Sequence, residues 1–288
     1  MKIAVCIKRT PDSESRFKIA ASGTAIDETG LKFDMDDFAS YAVEAALQLN
    51  EKAGGGETVV YALGPDTVQE SLRKAMSMGV DRAVHLKADK VPADGIAIAR
   101  ALAAELTTGG YDLVLFGKHA FDSSAAVVGT ATAEFLGLPC VTAASELKIE
   151  GGTGPARREL EGAAEMISFP LPAVVTIDEG VARPRYPSLK GIMGAKKKPL
   201  ESKPAQLGDV RVTVQKVELP PERPAGRIIG KYKAADQAVA VGVGILNGKF
   251  LSGGGFKRNS LGRVGARIIP KQTLPGVGNP EQPGFVQE

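Results

Sequence analysis

The chain has 288 residues, of which 43% are hydrophobic and 24% are charged, and its 36 basic and 33 acidic side chains leave a formal net charge of only +3. These values are ordinary for a globular protein that buries a core, and they exclude disorder of the whole chain. The charge is too evenly balanced to favour a nucleic-acid-binding protein.

Cysteine use and hydropathy bear on the compartment and on metal binding. The two cysteines, Cys6 and Cys140, lie far apart, and neither belongs to a CxxC or Cys/His pattern. We therefore expect no disulfide framework and no metal site. No apolar run is long enough to cross a membrane, and the N terminus starts with a strand pattern instead of a charged and then apolar leader. These features predict a cytoplasmic protein without membrane insertion.

Strand and helix patterns alternate over the first half of the chain. Apolar runs typical of buried strands occupy residues 2–7, 58–63, 83–86 and 113–116. Between these runs, apolar side chains recur at helical spacing, at Phe38, Ala42, Ala45 and Leu49, then at Val68, Leu72, Ala75 and Met76, and then at Ile98, Leu102 and Leu106. This order predicts an α/β fold with a doubly wound, mostly parallel sheet.

The pattern changes after Gly137. Residues 141–149 and 157–169 alternate in polarity on either side of a Gly-rich turn at residues 151–155, which predicts a β-hairpin insertion. Residues 173–177 predict a strand that rejoins the main sheet. We expect the α/β domain to span residues 1–200, and residues 201–288, rich in Gly, Pro and Lys, to form an extended C-terminal arm.

Several motifs along the chain point together to one family. They are Val5-Cys6-Ile7-Lys8-Arg9, Ala75-Met76-Ser77-Met78-Gly79-Val80-Asp81-Arg82, Gly117-Lys118-His119-Ala120-Phe121-Asp122, Leu171-Pro172-Ala173-Val174-Val175-Thr176 and, over residues 184–198, Pro-Arg-Tyr-Pro-Ser-Leu-Lys-Gly-Ile-Met-Gly-Ala-Lys-Lys-Lys. In this order they resemble the β subunit of electron transfer flavoproteins, over residues 1–226. The resemblance implies an adenine-nucleotide α-hydrolase-like, Rossmann-like fold.

The segment at residues 184–198 resembles the recognition loop through which the β subunit docks flavin-containing dehydrogenases. The resemblance makes Leu189 the apolar anchor, with Ile192 and Met193 beside it. It also implies a heterodimer with an α subunit, around which the arm at residues 220–226 and beyond would wrap. Electrons would pass on to a quinone oxidoreductase or another acceptor.

Glu159 matches a family carboxylate that pairs with a basic residue of the mobile flavin domain of the α subunit. Taken from its own surroundings, Glu159 is an exposed strand residue beside Arg157 and Arg158, and such surface pairs contribute about 0–1 kcal/mol. Both interpretations stay open at the level of the sequence.

The resemblance implies two nucleotide ligands. One FAD is held mainly by the α subunit, and the β subunit approaches it through Phe38 and residues 10–15, although periodicity alone makes Phe38 a core residue of its helix. AMP is held by loops of the β subunit. The residues implied in cofactor binding are Cys6, Asp36, Asp37, Phe38, Ala39, Leu63, Gly117, Lys118, His119, Ala120, Phe121, Asp122, Ser123, Ser124, Ala125, Val127 and Val128.

This sequence departs from the family pattern at three of the ligand positions. Val127 stands where relatives have Gln, which removes a polar contact. Asp36 replaces a usual Asn, which places negative charge near an anionic ligand, and Ser13 replaces an aromatic residue in the loop that approaches the flavin. The first two changes weaken the expectation of AMP.

The sequence leaves two other functions open and disfavours a third. A bifurcating β subunit would bind a second FAD in place of AMP, and a non-redox module would bind an adenine nucleotide without any flavin. An ATP-hydrolysing enzyme on the same sheet is disfavoured, because residues 8–12 replace its Ser-Gly-Gly phosphate loop. His85 and His119 have no second ligand at metal or catalytic spacing. The sequence thus predicts an electron carrier subunit, and no catalytic residue.

Overall fold

A nine-stranded sheet dominates residues 1–221, the part of the chain that this computed structural model describes. The strands are β1 (Lys2–Cys6), β2 (Arg9–Pro11), β3 (Phe33–Met35), β4 (Glu57–Gly64), β5 (Arg82–Lys87), β6 (Leu113–Gly117), β7 (Cys140–Leu147), β8 (Thr153–Leu160), β9 (Ala163–Pro170), β10 (Ala173–Ile177) and β11 (Leu200–Pro204). Their order across the sheet is β11-β5-β4-β1-β6-β10-β7-β8-β9, while β2 and β3 form a separate antiparallel ribbon.

Helices cover both faces of this sheet. They are α1 (Asp37–Lys52), α2 (Val68–Met78), α3 (Gly95–Thr107), α4 (Val128–Leu136) and α5 (Leu189–Ala195). Alternate residues of β1 separate two cores: Ile3 and Val5 pack with α1 and α2, whereas Ala4 and Cys6 pack with α3 and α4. The predicted doubly wound α/β fold is confirmed. None of the helices described here combines the length and the apolar character that a membrane span requires.

The position of β1 in the sheet determines where a ligand site can form. β1 pairs in parallel with β4 on one side and with β6 on the other. The chain leaves β1 toward β4 and β5 and then crosses back to β6, so its direction reverses next to β1. In open α/β sheets, the crevice at such a reversal lies outside the carboxyl ends of the strands and is the usual ligand site.

The antiparallel extension is larger than the predicted hairpin. Strand β8 pairs antiparallel with β7, and β9 pairs antiparallel with β8, so residues 157–169 belong to two strands and not to one. The chain reverses between Leu160 and Ala163, which face each other across the two strands, and Gly162 adopts a φ of 75° there. Glycine adopts this left-handed backbone without steric cost. The prediction of a single strand was wrong because this turn was not recognised.

The sheet also extends past the predicted end of the α/β domain. β11 pairs in parallel with β5, from Leu200 opposite Ala83 to Pro204 opposite Lys87. Residues 201–204, predicted to start the arm, are therefore part of the sheet, and residues 1–220 form one unit. Residues 222–288, which hold most of the predicted arm, lie outside the described residues, and its role stays a prediction.

Candidate functional site

A pocket opens at the carboxyl ends of β1, β4 and β6, where the sheet topology predicts a ligand crevice. It is bounded by loops and helix starts that lie far apart in sequence. The structure brings together at this pocket the sequence-predicted residues Cys6, Asp36, Ala39, Leu63, Gly117, Lys118, His119, Ala120, Ser123, Ala125, Val127 and Val128. The loops that follow the three strands thus converge on one pocket.

The remaining predicted residues, Asp37, Phe38, Phe121, Asp122 and Ser124, lie beside the pocket and not in its lining. Phe38 is only half-buried, and its ring lies 4.5 Å from that of His119. The core position at the start of α1 belongs to Ala39, which is 3% exposed. The expectation that Phe38 is a core residue was therefore wrong, because its ring, in the first turn of α1, lies against His119. The other members of the predicted stripe, Ala42, Ala45 and Leu49, are buried.

Part of the lining was not predicted. The missed residues are Ile7, Lys8, Val91, Pro92, Ala93, Gly95, Ile98, Leu102, Phe116 and Ala126. Ile98 and Leu102 carried a signal, because their helical spacing placed them on the inner face of α3. Residues 91–93 carried none, since an irregular loop shows no periodicity.

Two glycines let backbone segments approach closely around the pocket. A Cβ atom on Gly117 would lie 2.8 Å from the backbone nitrogen of Ala39, and one on Gly129 would lie 2.7 Å from Cγ2 of Thr176. Side-chain atoms are essentially absent at such distances in proteins, so both positions require glycine. They bring the end of β6 against α1, and the start of α4 against the sheet.

Asp36 connects the two halves of the pocket. It is 3% exposed and is the N-cap of α1, where its Oδ1 accepts a hydrogen bond from the backbone N–H of Phe38 at 3.0 Å. Its Oδ2 accepts a second bond from the backbone N–H of Phe121, in the loop after β6, at 2.7 Å. Burial raises the pKa of this carboxyl, and the backbone hydrogen bonds act in the opposite direction. Both oxygens therefore have protein partners, so Asp36 has a structural role that the sequence comparison did not reveal.

Helices α3 and α4 both begin at the pocket, but their N termini differ. The carboxylate of Asp94 caps α3 by accepting hydrogen bonds from the backbone N–H groups of Ile96 and Ala97. Among the described residues, no side chain caps α4, whose N-cap residue is Val127. Uncapped amides and the positive end of the helix dipole favour an anion, so α4 is the better phosphate site of the two.

The loop before α4 has an uncommon backbone. Ser124 and Ala126 have φ values of 48° and 53°, in the left-handed region that residues with a Cβ atom seldom adopt. Turns of this kind can direct backbone N–H groups toward an anion, and strained backbone is often found at ligand sites. The strain therefore supports a binding role for this loop.

Two lysines place positive charge at the pocket. Nζ of Lys8 lies 2.6 Å from Oδ1 of Asp122, and Nζ of Lys118 lies 2.8 Å from Oδ2 of Asp178. All four side chains keep some contact with solvent. The carboxylates compensate part of the positive charge and fix the two ammonium groups at the rim.

A second surface lies on α5, away from the pocket. Its large apolar side chains face solvent: Leu189 is 76% exposed, Met193 is 65% exposed and Ile192 is 46% exposed. Tyr186, just before the helix, is 93% exposed and was not singled out from the sequence. We call these four residues the docking patch. A contiguous apolar group of this kind on a surface marks an interaction site.

Comparison with known proteins relates both surfaces to one family. The family model described as "Electron transfer flavoprotein domain" matches residues 23–207. This chain belongs to the electron transfer flavoprotein family. Similar proteins include the electron transfer flavoprotein subunit beta of Syntrophomonas wolfei, 37% identical over 226 residues that cover 78% of this chain and 88% of the relative. The same subunit of Bacillus subtilis is 36% identical over 249 residues, covering 83% and 95%. That of Homo sapiens is 37% identical over 233 residues, covering 78% and 91%.

The sequence-based recognition of this electron transfer flavoprotein family is confirmed. The matched residues 23–207 contain the docking patch and the pocket lining except Cys6, Ile7 and Lys8. Glu159 lies on β8, where its side chain is 53% exposed and its Oε1 is 3.0 Å from Nη2 of Arg157. The pairing with Arg157 predicted from the local sequence is thus present.

Proposed function

We propose that this chain is the β subunit of an electron transfer flavoprotein heterodimer, which carries electrons from flavin-containing dehydrogenases to a quinone oxidoreductase or another acceptor. The observation that best supports this proposal is the docking patch. Its Leu189 lies on a helix of the folded domain with three-quarters of its surface exposed. The protein acts as an electron carrier in the cytoplasm and is not itself an enzyme.

The energetics of the docking patch suit a transient complex. Burying one leucine side chain contributes about 1.5–3 kcal/mol, which is enough to hold a partner briefly and too little for a permanent assembly. A carrier that visits several partners needs such an affinity, because release has to follow each electron transfer. Leu189 is the anchor, and Ile192 and Met193 extend its contact area.

FAD is held mainly by the α subunit and supplies the redox chemistry when bound. The residues that this chain offers toward it are Phe38 and the loop at residues 10–15. Phe38 lies half-buried against His119 and keeps part of its ring accessible. Glu159, exposed on β8, is the carboxylate that we propose to meet a basic residue of the mobile flavin domain.

AMP is the ligand that we propose for the pocket. The uncapped start of α4 and the left-handed turns at Ser124 and Ala126 suit its phosphate, and Lys8 and Lys118 add positive charge. The apolar lining from Leu63, Ile98 and Phe116 suits its base. Asp36 also lines the pocket, and the two backbone hydrogen bonds that its oxygens accept offset part of its negative charge.

Co-expression with an α-subunit reading frame tests the proposal. We expect a yellow heterodimer whose visible spectrum shows one FAD, and whose released small molecules include AMP. A second FAD in place of AMP would favour the bifurcating alternative. A stable, colourless protein that binds an adenine nucleotide and no α subunit would overturn the electron-carrier function.

A further inference from the structure

Hydrophobic burial contributes little to holding the docking helix α5 in position. It has only seven residues, two of which are the poor helix formers Gly191 and Gly194, and helices this short are not stable alone. Its large apolar side chains point to solvent, and Ala195 is its one buried residue. Polar contacts must therefore hold it in place.

Arg185 supplies such contacts on the N-terminal side of α5. Its Nε and Nη2 donate to the two carboxylate oxygens of Glu44 at 2.8 and 2.9 Å, and its Nη1 and Nη2 donate to those of Glu51 at 2.6 and 3.1 Å. The backbone N–H of Arg185 also donates to Oε2 of Glu44, at 3.1 Å. This guanidinium thus bridges the chain just before α5 to two glutamates that lie about two turns apart on α1, through bidentate bonds, the strongest kind that arginine makes.

Glu44 is well placed for this role because its side chain is only 3% exposed. Burial alone would raise the pKa of its carboxyl, but hydrogen bonds from Arg185 and Gln48 outweigh burial and leave the pKa below its usual value. A buried carboxylate without its partner costs several kcal/mol, so Glu44 strongly favours the conformation in which Arg185 reaches it.

A second set of contacts holds the C-terminal side of α5. Nη1 of Arg73, on α2, donates to the carbonyl oxygens of Ala195 and Lys198 at 2.6 and 2.8 Å. Gly191 packs directly on the carbonyl of Ser77, where a Cβ atom would clash. The docking helix is therefore fixed at both ends before any partner arrives.

We propose that Arg185, held by Glu44, is a positioning residue that presets the docking helix so that Leu189 meets its partner without an ordering cost. The inference rests on the proposed electron-carrier function. Preorganisation of a binding segment raises affinity by removing the entropy cost of ordering it on binding. Arg185 therefore acts through Leu189 and need not touch the dehydrogenase.

The test measures electron acceptance by the FAD-loaded heterodimer from a reduced flavin-containing dehydrogenase, at varied heterodimer concentration. We expect Arg185→Lys, which cannot form both bidentate pairs, to raise the apparent KM about five- to tenfold with little change in kcat. Glu51→Gln removes only the exposed half of the bridge, so its effect is smaller. In Arg185→Lys, backbone amide exchange across residues 186–194 becomes faster.

Arg82→Lys is the matched control. Arg82 also pairs with a glutamate, Glu57, at 2.6 Å, but it lies beside Tyr111, on the face of the sheet opposite to α5. We expect this variant to keep the KM of the unmodified protein. FAD content and unfolding temperature are measured for every variant, and a loss of FAD in Arg185→Lys would overturn the positioning role.

A double-mutant cycle with Leu189→Ala separates the inference from the function on which it rests. If Arg185 acts through Leu189, adding Arg185→Lys to Leu189→Ala changes the KM little further. If the fold-changes in KM of the two single variants multiply in the double variant, the positioning role is overturned. No effect of Leu189→Ala would refute the proposed docking function itself, whereas an effect of Leu189→Ala without one of Arg185→Lys or Glu51→Gln would refute only the inference.

Discussion

Oδ2 of Asp36 accepts a hydrogen bond from the backbone N–H of Phe121 at 2.7 Å and so ties the start of α1 to the loop that follows β6. The two residues are 85 positions apart in the chain. Their bond fixes the distance between two segments that flank the pocket.

Replacement of Asp36 by alanine is expected to reduce the free energy of unfolding by about 1–3 kcal/mol, because it removes the buried carboxylate that accepts from the backbone N–H groups of Phe38 and Phe121. Urea unfolding measures the loss. The control is Asp37→Ala, at the exposed neighbouring position, which loses a helix-dipole interaction of about 0.3–1 kcal/mol. Faster amide exchange at Phe121 is expected in Asp36→Ala alone, and equal behaviour of the two variants would contradict the role given to Asp36.

Gly117→Ala is expected to disturb the pocket by steric overlap. The new Cβ atom would lie 2.8 Å from backbone atoms of residues 38 and 39, which cannot move without displacing α1. Overpacking of this kind costs about 1–3 kcal/mol and should weaken AMP binding, measured by calorimetry on nucleotide-free protein. The control is Gly194→Ala, whose Cβ atom would meet open space and which should leave AMP affinity unchanged.

Leu189→Ala is expected to slow electron acceptance from a dehydrogenase while leaving the FAD content unchanged. The lost burial corresponds to about 1.5–3 kcal/mol, or roughly a ten- to hundredfold rise in apparent KM. Met166→Ala removes a side chain that is similarly exposed, at 72%, from β9, and it should not affect docking. Lost FAD with normal docking in Leu189→Ala would refute the anchor role.

Lys198 differs from the lysines beside it. Its Nζ donates to the carbonyl oxygens of Met76, Gly79 and Val80 at the end of α2, and burial lowers its pKa. Lys198→Ala is therefore expected to reduce the free energy of unfolding by about 1–3 kcal/mol. Lys197→Ala, at an exposed position, should change it by less than about 0.5 kcal/mol. Thermal unfolding of both variants measures this difference. Similar unfolding temperatures of the two variants would show that residues 196–198 are only a solvated surface.

The pH dependence of stability should reveal the pairing of Glu44 with Arg185. The pKa of Glu44 is lower in the folded protein than its unfolded value of about 4.3. Its ionised form therefore stabilises the fold above that value, and the contribution disappears as the pH falls through the folded-state pKa. The difference in unfolding free energy between the unmodified protein and Glu44→Gln should be constant above about pH 5.5 and shrink in more acidic solution. Glu14→Gln, at an exposed site, serves as the control.

The sequence was sufficient for the parallel half of the fold, because each strand there is a continuous apolar run and each helix has a clear apolar stripe. It was insufficient for β11, an edge strand whose Glu201, Ser202 and Lys203 form no hydrophobic pattern. Loop signals such as Gly117 located the pocket, since they follow buried strands. The acceptor role of Asp36 toward Phe121 was not visible, because a contact between distant segments leaves no local pattern.

The close contact of Gly191 with Ser77 has a practical consequence for attempts to redirect this carrier to new redox partners. Any side chain introduced at position 191 would lift the docking helix off α2 and tilt every apolar group that it displays. Mutant libraries for altered partner choice should therefore keep this glycine and vary only the exposed positions 186, 189, 190 and 193. New side chains there change the contact surface but not the packing of α5 on α2.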